Sequence, residues 1–275
     1  MADDARLELA AGRVANAQGD TGATQVHAER ALALARAGDN AGLAADSELT
    51  LGVVFTSGDR AKARDLLTRA LADYGRVENP HGVARAHLNI GNLLSDTQPN
   101  KARAEYEESL KQSQDIGDQN GIAAAYSDLA IMLWSAGDRD GTEAALRNVL
   151  RIRRVTGSVE GQAWALANLA VLDSDERASS EVIADFREAA ALDASIGDHA
   201  HRAYTLVSLI DVFRGELEEA RRVCADALVE AAKVKDHGSD ETTQYGCAQL
   251  TLDRGDIAAA QAEIARARAA SVRMI

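Results

Sequence analysis

Short helix-breaking segments recur along the chain at a nearly fixed interval, and this period constrains the fold more than any other feature. One series comprises Gly19-Asp20, Gly58-Asp59, Gly137-Asp138, Gly215-Glu216 and Gly255-Asp256, with altered members at 97–100 and 175–177. A second, interleaved series comprises Gly38-Asp39, 78–80, Gly117-Asp118, Gly157-Ser158, Gly197-Asp198 and 236–238. Glycine after a helix adopts the left-handed C-cap conformation, and a neighbouring Asp or Asn suits the turn. A period near 40 residues in both series therefore predicts about seven helix-turn-helix units.

The segments between the breaks have the periodicity of amphipathic helices rather than the alternation of strands. In residues 60–74 the apolar side chains form one stripe, made of Ala63, Leu66, Leu67, Ala70 and Leu71. Helices this short are marginal alone, so they must bury their stripes against neighbours. Only two prolines interrupt the chain, and aromatic residues make up 4% of it, which favours helices over strands. We therefore predict an all-α fold of stacked helix pairs.

The second helix of each unit places small or medium apolar residues at three fixed positions after the turn. The triplets are Thr24, Ala28, Ala31; Ala63, Leu67, Ala70; Ala102, Tyr106, Ser109; Thr142, Leu146, Val149; Val182, Phe186, Ala189; Ala220, Cys224, Ala227; and Ala260, Ile264, Ala267. Four first helices carry a Leu-Gly-like pair, at 51–52, 90–91, 129–130 and 169–170. In these spacings the chain resembles the tetratricopeptide repeat (TPR) family. Its inter-repeat turns, as at 116–123, are most similar to those of the long-period subclass, with about 40 residues per repeat.

The resemblance implies a right-handed α-solenoid of about seven TPR-like repeats. We expect a single domain over residues 1–275, with repeats at approximately 3–37, 41–77, 81–116, 120–156, 160–196, 200–235 and 239–272. Long-period relatives include spindle-orientation scaffolds, peptide-sensing bacterial regulators and the C-terminal arms of large bacterial nucleotide-switch regulators. These relatives share the binding of peptides or protein segments along a concave groove. The first hypothesis is therefore a scaffold that holds a partner segment in this groove. The alternative is a sensor arm of a larger bacterial signalling or transcription regulator, with a peptide, small-molecule or oligosaccharide effector.

First helices line the concave surface in this family, so equivalent positions on successive first helices are the candidate binding residues. An asparagine side chain offers both a donor and an acceptor to a peptide backbone, and Trp and Tyr are frequent binding anchors. The predicted groove residues are Arg85, Asn89, Asn92, Asp128, Trp164, Asn168, Tyr204, Ser208 and Asp211. Two alternatives stay open: the polar residues are solvated helix positions, and Trp164 and Tyr204 fill gaps between stacked repeats.

Signatures of catalysis and cofactor binding are missing from the sequence. It has no glycine-rich phosphate loop, no helical histidine pair and no Cys-x-x-Cys. We therefore predict no enzyme activity, no catalytic residue, no cofactor and no metal. His199, His201 and His237 could meet as a metal site, but solvated turn histidines are the preferred interpretation. Cys224 is interpreted as a small core residue, and Cys247 has no evident histidine partner that would make it a nucleophile. The two cysteines do not indicate a disulfide framework, which fits a cytoplasmic compartment.

The net charge of −13 disfavours nucleic acid and anionic membrane surfaces as partners. A basic partner remains open beside the interpretation of a solvated acidic exterior. No apolar run approaches the roughly 20 residues that span a bilayer, and residues 1–4 lack the features of a signal peptide. The prediction is a cytoplasmic protein with a protein or peptide partner. The alanine-rich helix at 257–270 lacks a polar cap, which indicates either truncation from a longer chain or a homodimer through this C-terminal helix.

Overall fold

The computed structural model describes residues 2–174, 180–213, 216–234 and 237–252, which form thirteen α-helices and no strand. In chain order the helices are α1 (Ala2–Ala17), α2 (Thr21–Ala37), α3 (Ala41–Phe55), α4 (Arg60–Arg76), α5 (Pro80–Leu94), α6 (Pro99–Asp115), α7 (Gln119–Ser135), α8 (Arg139–Thr156), α9 (Val159–Ser174), α10 (Ser180–Ile196), α11 (His199–Val212), α12 (Leu217–Ala231) and α13 (His237–Leu252). None of the helices in these ranges is both long and apolar enough to cross a membrane. The all-α prediction is confirmed, whereas the final helix predicted at 257–270 lies outside the described residues.

The start of most helices is set by the polar residue that ends the preceding break. Seven of these residues accept a hydrogen bond of 2.8–3.0 Å from the backbone N–H three positions later: Asp20, Asn40, Asp59, Asn79, Asp118, Asp138 and Asp198. Such a cap satisfies a backbone donor that has no partner within the helix. The Asp and Asn residues of the breaks therefore begin the next helix as well as forming the turn.

The preceding helix ends mostly as the glycine pattern predicts. Positive φ angles of 70–75° occur at Gly19, Gly117, Gly137, Gly157 and Gly197. At the turn that follows α2, however, Gly38 has φ −95° and Asp39 takes the left-handed conformation with φ 49°. Glu78 does the same after α4, with φ 53°. The left-handed position therefore falls one residue later than the glycine predicts at 38–40, because Asn40 rather than Asp39 caps the next helix.

The chain divides into two compact units, Met1–Ala145 and Leu146–Ile275. In the first unit, odd-numbered first helices and even-numbered second helices form the hairpins α1–α2, α3–α4 and α5–α6, and each hairpin packs on the helix that follows it. In the second unit, α9–α10 and α11–α12 are hairpins, and α13 packs on both helices of the latter. A single domain over residues 1–275 stays a prediction.

The predicted core positions of the second helices are buried. Every triplet residue from Thr24 to Ala227 is at most 3% exposed, except the half-buried Cys224. Close packing against the first helices depends on small residues there. A Cβ on Gly52 would lie 2.6 Å from Cδ2 of Leu67, and one on Gly91 would lie 2.5 Å from Cε1 of Tyr106. The predicted register of the hairpins is therefore confirmed.

Cys224 and Cys247 form a disulfide that joins α12 to α13, with their Cα atoms 5.7 Å apart. The expectation that the two cysteines form no disulfide is therefore wrong, although Cys224 does pack against the core as a partly buried residue. The pairing arises because α13 packs directly on α12, which brings residues 23 positions apart into contact. Sequence spacing alone gave no sign of this, since the two cysteines belong to different repeats.

Candidate functional site

Arg85 belongs to a charged cluster on the first helices of the first unit. The hydroxyl of Tyr74, on the second helix α4, donates to Oδ1 of Asp46 at 2.6 Å. The same carboxylate lies 3.6 Å from Nη1 of Arg85 and 3.8 Å from Nη2 of Arg13. Burial of the tyrosine ring and its bond to Asp46 raise the pKa of Tyr74. Arg85 is thus positioned by α3, and 41% of its side chain remains exposed to donate to a ligand.

The ring of Tyr74 reaches this cluster because the neighbouring first helix has a glycine. Tyr74 is fully buried and lies against Gly82 of α5, where a Cβ would clash with the ring. Tyr106 of α6 lies against a second glycine of α5, Gly91, and its hydroxyl donates to Oδ1 of Asn92 at 2.7 Å. Each glycine therefore lets a tyrosine from a second helix place its hydroxyl beside a polar residue of a first helix.

Two of the predicted groove residues, Asn89 and Asn168, bond to carbonyl oxygens of their own helices. Nδ2 of Asn89 donates to the carbonyl oxygen of Arg85 at 2.7 Å, and Nδ2 of Asn168 donates to that of Trp164 at 2.8 Å. This bond uses one of the two N–H donors of each amide and leaves the side-chain oxygen as an acceptor. The bond also fixes the orientation of the amide, so each side chain is presented in one conformation.

Asn92 and Asp128 lie together in a cavity of about 790 Å³ within the first unit, which we call the α5–α7 pocket. It is formed by the C-terminal ends of α5 and α7, the first turns of α6 and the turns beside them. Its lining is mixed in character and includes Asn92, Ser95, Asp96, Pro99, Asn100, Arg103, Tyr106, Asp128, Ile131, Met132, Leu133 and Asp138. Ligand sites in proteins commonly enclose about 300–1,000 Å³ with an apolar lining and a few polar groups, and this pocket is of that kind.

Asp128 is the most perturbed carboxylate of the pocket. Burial raises its pKa from the ordinary 3.8 to about 6, and a hydrogen bond from Asn92 opposes this shift in part. Asn92 therefore links Tyr106 on α6 to Asp128 on α7. Arg103 is engaged elsewhere, because its Nε atom lies 2.9 Å from Oε1 of Glu107. The pocket is consequently acidic, with three aspartates and one arginine that is already paired.

The remaining predicted residues lie on first helices of the second unit. Trp164 on α9 is half-buried, while Tyr204 on α11 is 50% exposed, with its ring 6.3 Å from that of His201. Ser208 donates its hydroxyl to the carbonyl oxygen of Tyr204 at 3.2 Å, and Asp211 is exposed. Their role in binding stays a prediction. A single groove past all nine predicted residues would involve both units and stays a prediction.

His199 and His201 are not the solvated turn residues that the sequence suggested. Both lie in the first turn of α11, where Nδ1 of His199 is 2.7 Å from Glu230 and Nδ1 of His201 is 2.9 Å from both oxygens of Asp193. The bond to the buried Asp193 raises the pKa of His201. Within the described ranges no group of three potential ligands could hold a metal ion, and the His237 side chain lies outside them. The sequence gives little sign of these pairs, because their partners belong to other helices.

No protein-family model matches the sequence, and no curated protein matches it. Solved structures do match its fold. A signal transduction ATPase with numerous domains (STAND) from Pyrococcus horikoshii, with a tetratricopeptide repeat sensor, aligns at a TM-score of 0.77 and 10% identity, over 99% of this chain and 42% of its own. The apo form of RapI aligns at 0.71 and 14% identity, over 96% and 97%.

A third similar structure is the Rap conjugation gene regulator of the plasmid pLS20, in complex with the Phr* peptide. It aligns at a TM-score of 0.65 and 16% identity, over 97% of this chain and 73% of its own. This chain spans less than half the length of the P. horikoshii protein. At such low identities the similarity concerns the fold. The chain is therefore an all-α solenoid of TPR-like helical repeats.

Proposed function

We propose that this chain is a scaffold that binds a peptide or an extended protein segment along its first helices. The observation that carries the proposal is the α5–α7 pocket, which opens between first helices and contains two of the predicted binding residues, Asn92 and Asp128. On the same helix as Asn92, Arg85 and Asn89 present donors and acceptors in fixed orientations. Regularly spaced polar groups of this kind suit the regularly spaced amides of an extended backbone.

The similar structures support the same proposal. The pLS20 conjugation regulator was solved with a peptide bound, and its fold matches nearly the whole of this chain. We include in the proposal membership of the long-period TPR subclass, a bacterial origin, a cytoplasmic location and a role without catalysis. Helices α3, α5, α7 and α9 begin at residues 41, 80, 119 and 159, which supports the long period.

A second candidate is a sensor arm of a larger regulator. The observation that favours it is the P. horikoshii STAND protein, whose tetratricopeptide repeats are a sensor and of which this chain would cover 42%. In that case the pocket would receive the effector. The complete gene product distinguishes the two candidates, since a nucleotide-switch or DNA-binding domain attached to this chain would establish the sensor arm.

The experiment for the leading proposal is a selection from a displayed library of random octapeptides on the immobilised full chain. Affinities of the enriched peptides are then measured for the wild type and for Asn89→Ala combined with Asn168→Ala. We expect at least about fivefold weaker binding, corresponding to roughly 1 kcal/mol, for the double variant. The matched control replaces amides on second helices, Gln25→Ala with Gln114→Ala, and should bind as the wild type does.

Two results would contradict the scaffold. One is a library from which no peptide is enriched. The other is an enriched peptide whose affinity falls in the second-helix control but not in the first-helix variant. Melting curves of all the variants show whether a loss of binding is a loss of folding.

A further inference from the structure

Two carboxylates of the α5–α7 pocket have no positively charged partner among the residues that the structure describes. Asp128 is half-buried and bonds only to the neutral amide of Asn92, and Asp96 forms no ion pair. Burial without an opposite charge is unfavourable for Asp128, because the neutral amide of Asn92 replaces only part of the lost hydration, whereas Asp96 is exposed. A cation that enters the pocket would supply this missing interaction.

The basic residue of the pocket does not fill this role. Arg103 pairs with Glu107 along its own helix, and both side chains are 56% exposed. Asp138 is also engaged, because its Oδ1 accepts the backbone N–H of Gly141 at 2.9 Å as the cap of α8. The charge that remains for a ligand is therefore that of Asp96 and Asp128.

The rest of the lining selects the kind of cation. Pro99, Ile131 and Met132 give the pocket an apolar surface next to the carboxylates, and Ile131 is 56% exposed. A metal ion or ammonia would leave this surface in water. Arginine and lysine side chains combine an apolar stem with a charged head, so they can cover apolar surface and reach a carboxylate at once.

We propose that the α5–α7 pocket binds an arginine or lysine side chain of the peptide held by the first helices. The stem packs on Ile131 and Met132, and the charged head faces Asp96 and Asp128. The proposal rests on the peptide-binding function above and adds the chemistry of the ligand. The net charge of −13 favours the approach of such a basic segment.

The test uses the peptides enriched in the octapeptide selection on the full chain. Each arginine in the tightest peptide is replaced by citrulline, which keeps the shape of the side chain but removes its charge. Each lysine is replaced by norleucine. Affinities are measured for the wild type, for Asp128→Asn and for Asp96→Asn. Asp115→Asn is the matched control, since it removes the same charge from an exposed position at the end of α6 outside the pocket.

We expect enriched peptides to contain arginine or lysine, and the neutral replacement to weaken binding to the wild type by roughly tenfold or more. Asp128→Asn and Asp96→Asn should each lower the affinity for the basic peptide and leave the affinity for the neutral peptide almost unchanged. Asp115→Asn should resemble the wild type.

Other outcomes overturn the proposal in distinguishable ways. If peptides are enriched and depend on Asn89 and Asn168, but the citrulline peptide binds equally well, the scaffold stands and the basic ligand is wrong. An equal response of Asp115→Asn and Asp128→Asn would assign the charge dependence to the overall field. If agmatine alone, a free guanidinium compound, binds as tightly as the basic peptide and competes with it, the pocket takes small cations rather than peptide side chains. A selection without enrichment contradicts the scaffold itself.

Discussion

At the scale of single residues, Asp128 has a pKa raised by burial from 3.8 to about 6. A raised pKa means that the folded state prefers the protonated carboxyl. The contribution to stability is therefore fully present below the unfolded-state pKa of about 3.9 and is lost as the pH rises through 6. The free energy of unfolding of Asp128→Asn, relative to that of the wild type, should be larger at pH 8 than at pH 5 by on the order of 1 kcal/mol. Urea denaturation at both pH values measures this gain, and an equal difference at pH 5 and pH 8 would refute it.

His201 is a base, whereas Asp128 is an acid. Its pKa is raised chiefly by the hydrogen bond to the buried Asp193. For a base with a raised pKa, the stabilisation is complete below the unfolded-state value of about 6.5 and disappears as the pH rises through the folded-state value. We expect the wild type to lose stability relative to His201→Gln when the pH is increased from 6 to 9. Denaturation curves that shift in parallel for the two proteins would show that the pair does not titrate in this range.

At the scale of helices and hairpins, much of the structure followed from the sequence. The breaks predicted the helix starts, because the Asp or Asn in seven of them caps the helix that follows. The triplets predicted the buried face of each second helix. The positions of individual side chains across helices were less accessible. Tyr106 was read as a core residue, and the ring is buried, but its hydroxyl lines the α5–α7 pocket. A tyrosine among small core residues, opposite Gly91, was the signal available for this.

The close approach of α5 and α6 depends on Gly91. A Cβ there would lie 2.5 Å from the ring of Tyr106, so Gly91→Ala should destabilise the protein by roughly 1–3 kcal/mol through overpacking. Gly75, near the end of α4, has open space around it. Gly75→Ala should therefore stabilise the protein by about 0.5–1 kcal/mol, because alanine is the better helix former. Thermal unfolding of both variants checks this pair, and destabilisation of similar size in both would disprove the role assigned to Gly91.

At the scale of the whole molecule, helices within each unit contact those adjacent or next but one in the chain. The free energy of unfolding of such an array is approximately the sum of the intrinsic stabilities of the hairpins and the free energies of the interfaces between neighbouring hairpins. The α5–α7 pocket could not be located from the sequence for a related reason. Its lining comes from three helices and two turns, and their mutual orientation depends on packing that no single repeat specifies. Asn92 and Asp128 were predicted because Asp128 occupies the position of α7 that Asn89 occupies in α5, and Asn92 lies one turn after Asn89, whereas Asp96 and Asp138 lie in turns outside that pattern.

Because helices contact only their neighbours within each unit, breaking one contact should destabilise mainly the helices next to it. The Cys224–Cys247 disulfide closes a loop of 23 residues. In the chain-entropy description, its reduction lowers the free energy of unfolding of this region by about 3 kcal/mol. Hydrogen exchange should therefore rise in α12 and α13 after treatment with dithiothreitol and stay unchanged in α1 to α6. A variant with Cys224→Ser and Cys247→Ser should show no response to the reductant. Faster exchange in α1 to α6 would show that the array unfolds as one unit.

The neighbour-only packing of the hairpins has a consequence for synthesis on the ribosome. Successive first helices begin at residues 41, 80, 119 and 159, so one hairpin occupies about 39–40 residues of nascent chain. At roughly 5–20 residues per second, a hairpin takes about 2–8 s to be translated. Helices form in about a microsecond or less, so helix formation is much faster than translation. Within each unit, a hairpin that leaves the ribosome can therefore pack on the hairpin translated before it, so folding can proceed while synthesis continues.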